Sequence, residues 1–443
     1  MKPNNFLSAQ KYLESLIPSE KRHVLGLERI RALLKLMGNP QDSYPTVHVG
    51  GTAGKGSTST IIAGILQQAG YKTGLHVSPH LEDIREREMV DGHIMTKANF
   101  VRLVNYIRPY VEQTESQYPY GVPTYFEALL ALTFKHFKDM RVDVAVIEVG
   151  LGGRLDGTNV ITPKVAVLTN VGLDHTEILG KTVEKIASDK VGIFKEGIDV
   201  VSGVTQPTVI KIVEDAARRL NCSLDLLGWQ FAYTTRRSEA AESVFDLKLG
   251  DGTYTNLKMS VLGEHQAANA SLAIDAALKL NRHGFKISEK DVRSALKSVK
   301  IPGRFEIVRK RPTVILDGAH NQMKTDALAS TLKEYCHNRR VNFVFAVKKD
   351  KDAAGMLRTL SKMAGKFYFT KFDSVTDFGD RMSHDPRDLA HMTDCKHEVL
   401  EDPYAAYRKA LSETGRDGVV CVTGSLYLVG NLRSRIGASN KNL

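Results

Sequence analysis

The chain has 443 residues and a formal net charge of +11, from 61 Lys+Arg against 50 Asp+Glu. With 42% hydrophobic and 25% charged residues, it has the balance of a soluble globular protein, and its length predicts two domains rather than one core. The positive charge suits an anionic small ligand, and the dispersed basic residues, without interleaved aromatics, argue against nucleic acid as a partner.

Four cysteines (Cys222, Cys336, Cys395, Cys421) lie far apart with no C-x-x-C pair. They fit neither a zinc site nor a disulfide framework and point to a reducing compartment. The first residues, MKPNNFLSAQ, lack a signal-peptide core, and no apolar run approaches membrane-spanning length. A cytoplasmic protein with no membrane contact is expected.

In chain order, Val- and Ile-rich runs at 46–49, 73–77, 142–149, 165–171 and 200–204 alternate with helical patterns at 57–69, 126–137 and 208–220. Strands without in/out alternation, separated by helices, predict a mostly parallel sheet covered on both faces, the doubly wound α/β class. Residues 229–262 differ. "SVFDLKLGDGTYTNLKMSVL" alternates on both sides of Asp251-Gly252 and predicts a β-hairpin, a small antiparallel excursion at the edge of the first domain. Helices are expected at 266–280 and 289–298. The Ile301-Pro302-Gly303 break then opens a second α/β series, with strands at 313–316, 342–347, 367–370 and 419–422. The division is placed at 1–300 and 301–443, the second part being a smaller Rossmann-like α/β domain.

The stretch "HVGGTAGKGSTS" (48–59) follows the first strand and opens a helix. It departs from G-x-x-x-x-G-K-[ST]: Val49 stands at the first glycine and Gly56 follows the lysine. Strand, glycine turn and helix start are nevertheless the context of a phosphate loop, where backbone N–H groups and the helix terminus meet phosphate oxygens. Thr52, Gly54, Lys55, Gly56 and Ser57 are therefore candidate ATP contacts, with Lys55 neutralising the β/γ-phosphates and Ser57 or Thr58 reaching phosphate or metal.

"DVAVIEV" (143–149) reads as a buried strand with one carboxylate, Glu148, at its carboxyl end, the edge where open α/β sheets bind ligands. Glu148 is a candidate Mg²⁺ ligand, the alternative being a capping or ion-paired carboxylate. Two further strands end at Ser78-Pro79-His80 and at Gly172-Leu-Asp174-His175. On residue type alone His175 reads as structural, since Mg²⁺ prefers oxygen, and Lys190 reads as a surface lysine on an amphipathic helix.

Taken together, the chain resembles the folylpolyglutamate synthase/dihydrofolate synthase family of the Mur ligase superfamily. The stretches that carry the resemblance are "GLERIRALLKLMGNP" (26–40), "HVGGTAGKGSTS", "GLHVSPHLEDIRERE" (74–88), "IEVGLGGRLDGTN" (147–159) and "NVGLDHTEILGKT" (170–182). They continue in family order with "SDKVGIFKEG" (188–197), "GRFEIV" (303–308), "ILDGAHN" (315–321) and "VTGSLYLVG" (422–430). The family loop, G-T-N-G-K-G-S, has its glycine after the lysine, which accounts for Gly56. The resemblance implies Mg²⁺ ligation by Ser78, Glu148 and His175, a carbamylated Lys190, and ATP contacts from Asn269, Arg304 and Asp317. It also implies a glutamate-side role for His320 and Ser425, and places Arg87 and Asp156 on the substrate side. Two residues depart from the family pattern: Ala53 replaces the loop Asn, and Gly157 replaces Ala in "GGRLDATN".

What the resemblance implies for function is an amide ligase acting as a monomer. ATP phosphorylates a folate or dihydropteroate carboxylate to an acyl phosphate, and the amine of L-glutamate displaces phosphate. A peptidoglycan Mur ligase would usually carry an N-terminal UDP-sugar domain, whereas about 45 residues precede the loop here. A P-loop switch or motor ATPase would turn over ATP without glutamate.

Overall fold

Both faces of the first sheet are covered, and its residues sort by parity. In the computed structural model, which describes residues 2–18, 25–119, 121–236, 242–337, 339–376 and 379–438, this sheet has eight strands. They are β1 (Thr46–Gly50), β2 (Thr73–His76), β3 (Glu88–Val90), β4 (His93–Ile94), β5 (Val144–Glu148), β6 (Val165–Leu168), β7 (Asp199–Ser202) and β8 (Ser223–Leu226). Their spatial order is β4-β3-β2-β5-β1-β6-β7-β8. Val144 and Val146 of β5 enter one core, shared with the helices Lys55–Gln68 and Glu264–Lys279. Ala145 and Ile147 enter the other, shared with the helices Lys97–Gln117 and Tyr125–Met140. Two apolar faces require an unbroken apolar run, and this is why the strand pattern did not alternate.

All pairings from β2 through β8 are parallel, while β3 and β4 fold back antiparallel at the edge. The sequence predicted β1, β2, β5, β6 and β7, with β6 ending at Leu168 instead of 171 and β7 at Ser202 instead of 204. It missed β3, β4 and β8, which are short, lie at or next to the sheet edges, and in β8 are half exposed, so no apolar run marks them.

The predicted excursion is a three-stranded sheet of β9 (Phe231–Arg236), β10 (Ser243–Leu249) and β11 (Gly252–Met259). Its apolar side, with Phe245, Leu247, Leu257 and Met259, rests on the Glu264–Lys279 helix in the first core. The hairpin turn sits one residue earlier than expected. Leu249 pairs with Gly252, so Gly250 and Asp251 are the central residues, and Gly250 supplies the positive φ (56°) that the turn needs at its first position.

A third sheet contains β12 (Glu306–Lys310), β13 (Thr313–Leu316), β14 (Val341–Phe345), β15 (Ala364–Phe369), β18 (His397–Val399) and β19 (Val419–Thr423), in the order β12-β13-β19-β14-β15-β18. The labels β16 (Asp373–Thr376) and β17 (Gly379–Met382) belong to a separate two-stranded ribbon. The four predicted strands form its parallel centre, β12 adds an antiparallel edge, and β18 extends the other side in parallel. The α/β architecture is the expected one, with the first and third sheets meeting at a shared cavity.

Candidate active site

The turn after β1 is a backbone held open by its neighbours. Gly54 caps the Lys55–Gln68 helix with φ 81°, and a Cβ there would stand 2.2 Å from Asn269 Oδ1. Only glycine tolerates both the conformation and the approach. The segment after β6 clamps the turn from the other side. Asn170 Oδ1 accepts from the Ala53 N–H (2.9 Å), and Thr169 Oγ1 donates to the Ala53 carbonyl (2.6 Å). Gly172 N–H donates to Thr52 Oγ1 (3.0 Å). The loop is thus fixed through the main chain of residue 53, so its shape does not depend on the side chain that departs from the family pattern.

Glu148 ends β5 beside this loop, where its buried carboxylate accepts the Ser78 N–H through Oε2 (3.0 Å). Burial pushes its acidity weaker than an ordinary glutamate, against the pull of Lys55. His175 caps the short Thr176–Leu179 helix in the left-handed region (φ 49°), and burial draws its pKa down to about 4, so the imidazole is neutral at pH 7.

Lys190 is the last residue of the Val183–Lys190 helix and is buried, 4% exposed. The surface-lysine reading of the residues alone is therefore corrected. An amphipathic pattern marks which face is apolar, but the strand-end loops pack over the helix terminus. Lys190 Nζ donates to the Gly51 carbonyl (3.1 Å) and approaches that of Gly152 (3.5 Å). Burial, then the repulsion of Lys55, lowers its pKa to about 7.

From the third sheet, Asp317 follows β13 with both oxygens occupied: Oδ2 accepts from Phe305 N–H (2.8 Å) and Oδ1 from Ala319 N–H (2.8 Å). Burial raises its pKa, with Arg304 opposing most strongly. His320 Nδ1 lies 2.8 Å from the Gly318 carbonyl. These groups share one cavity of about 530 Å³, lined by Thr52, Gly54, Lys55, Gly56, Ser57, Ser78, Glu148, His175, Lys190, Asn269, Arg304, Asp317 and His320.

Three predicted residues do not line it. Arg87 is buried, with Nε donating to His80 Nδ1 (3.0 Å) and its guanidinium 5.8 Å from the Tyr125 ring centroid. Asp156 caps the Gly157–Val160 turn, accepting from the N–H groups of Leu151 (2.7 Å) and Thr158 (3.0 Å). Ser425 caps the Leu426–Arg435 helix. Conversely, Asn170, Asp174 and Lys324 line the cavity without having been singled out. Lys351 and Asn321 then tie Asp174 to the third-sheet side, at 2.9 and 3.0 Å. The one signal for Lys324 was its spacing of four residues after His320.

The Mur ligase middle domain family matches residues 49–277, just over half of the chain, and the family described as dihydrofolate synthetase, C-terminal domain, matches residues 298–435. The chain belongs to the Mur ligases. Dihydrofolate synthase/folylpolyglutamate synthase of Bacillus subtilis is 36% identical over 93% of this chain and 95% of its own length. The protein of that name from Escherichia coli is 31% identical over 96% and 94%. Among solved structures, E. coli FolC in complex with DHPP and ADP superposes with a TM-score of 0.87 at 30% identity, covering 99% of both chains. Mycobacterium tuberculosis folylpolyglutamate synthase complexed with ADP and AMPPCP gives 0.88 at 31%, over 98% and 99%. Within the superfamily, the chain is a member of the folylpolyglutamate synthase/dihydrofolate synthase family and so an ATP-dependent ligase.

Proposed function

We propose that the chain joins L-glutamate in amide linkage to dihydropteroate, to a reduced folate, or to both, releasing ADP and phosphate. The observation that carries this reading is the meeting, in one cavity, of the glycine loop with Arg304, Asp317 and His320 from the other sheet. A carboxylate oxygen of the acceptor attacks the γ-phosphorus, and the electron pair of the broken P–O bond leaves with ADP. The glutamate amine then attacks the acyl carbon and phosphate leaves, the amine losing a proton. Lys55 and the loop N–H groups stabilise the charge on the moving phosphoryl group. Closure of the two halves on bound substrate would keep water from the acyl phosphate.

Ser78, Glu148 and His175 fit a divalent cation, since a buried carboxylate, a hydroxyl and an imidazole kept neutral by burial all line the cavity. A Mg²⁺ ion held by these residues would supply charge screening for the phosphates of ATP. Lys190 fits carbamylation: an amine with a pKa near 7 is substantially unprotonated at neutral pH and can add CO₂, giving an anion beside Lys55. Asn269, Arg304 and Asp317 are assigned to ATP, and His320 and Ser425 to the glutamate side. Arg87 and Asp156 support the acceptor side from behind the cavity wall. The functional division is taken as residues 1–300 and 301–443. We take the protein as a cytoplasmic monomer, in keeping with four free cysteines; no helix among the described residues is long and apolar enough to cross a membrane.

The test is ADP release in the presence of Mg²⁺ and L-glutamate, with dihydropteroate or tetrahydrofolate as acceptor. Release that needs neither glutamate nor acceptor would replace this reading with a P-loop ATPase.

A further inference from the structure

Like Lys55, Lys190 and Arg304, the other cations that line the cavity, Lys324 has no carboxylate within ion-pair distance among the described residues. Lys351 is paired with Asp174 at 2.9 Å, and Lys190 is held by carbonyl oxygens. The polar neighbour of Lys324 Nζ is His320 Nε2, at 2.9 Å. The Gly318 carbonyl beside His320 Nδ1 can only accept, so Nδ1 carries the ring proton and Nε2 presents its lone pair. Lys324 is therefore the donor, and it spends one N–H on a neutral ring.

Two further N–H groups of that ammonium remain in a cavity whose walls also carry Lys55, Arg304 and the glycine loop. Burial, then Arg304 and Lys55, draw the amine down to about 7. Asp317, Glu148 and Asp174 of the same lining are already engaged, the first by two backbone N–H groups, the second by the Ser78 N–H and the third by Lys351 and Asn321. A bound polyanion is therefore a fitting partner for this ammonium, and its arrival restores the charge on the amine.

We propose that Lys324 is a further catalytic residue of the ligase, gripping the γ-phosphoryl group of ATP from the third-sheet side as Lys55 does from the first, and staying on it during transfer to the acceptor carboxylate. His320 aims the ammonium and, being neutral, does not compete for the phosphate. In the step, the bond from the γ-phosphorus to the bridging oxygen breaks with its electron pair going to ADP, and the carboxylate oxygen makes the new bond. Lys324 exchanges no proton and forms no covalent bond.

This inference rests on the ligase reading above, and nucleotide binding separates the two. ADP and a β,γ-methylene analogue of ATP are titrated calorimetrically into the wild type, Lys324→Met and Lys324→Arg. Lys324→Met is expected to hold ADP within about twofold of wild type and to lose about tenfold or more in affinity for the analogue, the scale of one charged hydrogen bond. Lys324→Arg, which keeps the charge, is expected to recover the analogue. Unchanged analogue affinity in Lys324→Met, or an equal loss for ADP and analogue, overturns the proposal. A wild-type protein that binds neither nucleotide overturns the ligase reading instead, and ADP binding by the variants reports that they are folded.

Discussion

Gly54 and Lys190 show how single residues shape the cavity around the glycine loop. Gly54→Ala places a Cβ in the left-handed region, at a cost of about 1–2 kcal/mol, and drives it into the Asn269 amide. A lower melting temperature and weaker ADP binding are expected together, because the loop and Asn269 move as one. Lys190→Ala makes a sharper claim. Removing the side chain frees the Gly51 carbonyl and deletes the amine that would carry the carbamate. Ligation is expected to be abolished and added bicarbonate not to rescue it, since no amine is left to react. Near-normal turnover of that variant would sink the carbamate assignment. Gly157 has a more modest structural meaning: a Cβ there would meet Leu130 Cδ1 at 2.9 Å, so the end of the Leu130 side chain would have to shift for the family's usual alanine, while Phe126 at 3.6 Å would not.

On the Glu264–Lys279 helix, Asp275 is buried against Asp225 of β8, with Lys279 bridging to Asp225 at 2.9 Å. Burial first, and the neighbouring Asp225 in support, raise the Asp275 pKa to about 7 from an ordinary 3.8. A carboxyl whose folded pKa is raised binds its proton more tightly in the folded state, so stability falls as pH rises from about 4 to about 7 and stays low above. Asp275→Asn, neutral at every pH, is expected to flatten that part of a urea-denaturation pH profile and to raise stability at pH 8 relative to wild type. An unchanged slope between pH 4 and 7 would show that Asp275 titrates normally. No sequence pattern announces this cluster, because it forms between a helix and a strand about 50 residues apart. The central strands were legible because both-face burial leaves an uninterrupted Val/Ile run, as in β5. The strands at or next to the sheet edges, β3, β4, β8, β12 and β18, were not, since their partners, not their composition, make them strands. The site divided in the same way. The glycine loop and Glu148 showed in local pattern, whereas the burial of Lys190 and the pairing of Asp174 with Lys351 depend on tertiary packing.

For the molecule as a whole, the decisive contacts are those that join the two α/β halves. Arg433, buried on the Leu426–Arg435 helix, donates to Glu306 of β12 through Nε (3.0 Å) and Nη2 (2.9 Å), and through Nη1 to Glu82, in the loop that leaves β2 at Ser78. Glu306 also accepts the Gly303 N–H (2.9 Å), which fixes the connection between the halves. Beside this strut the Leu81 carbonyl lies where a Cβ on Gly430 would be only 1.9 Å away, so the same loop rests directly on helix backbone. The Ser78 loop, one wall of the cavity, is therefore positioned by the distant half of the chain. Arg433→Met leaves two partly buried carboxylates without their cation, a change expected to cost less than the ~3–5 kcal/mol of a fully buried pair because solvent still reaches Glu306. The urea midpoint at pH 7 is expected to fall accordingly. Because Glu82 holds the loop carrying Ser78, while Lys55 and Asn269 lie on other elements, the KM for the acceptor is expected to rise severalfold with ADP affinity nearly unchanged. Equal weakening of acceptor and ADP would mean that Arg433 supports the fold generally, and unchanged stability would mean that the strut carries no load. A rise confined to the acceptor would identify the Glu82–Arg433–Glu306 contact as the link by which the C-terminal half sets the shape of the substrate end.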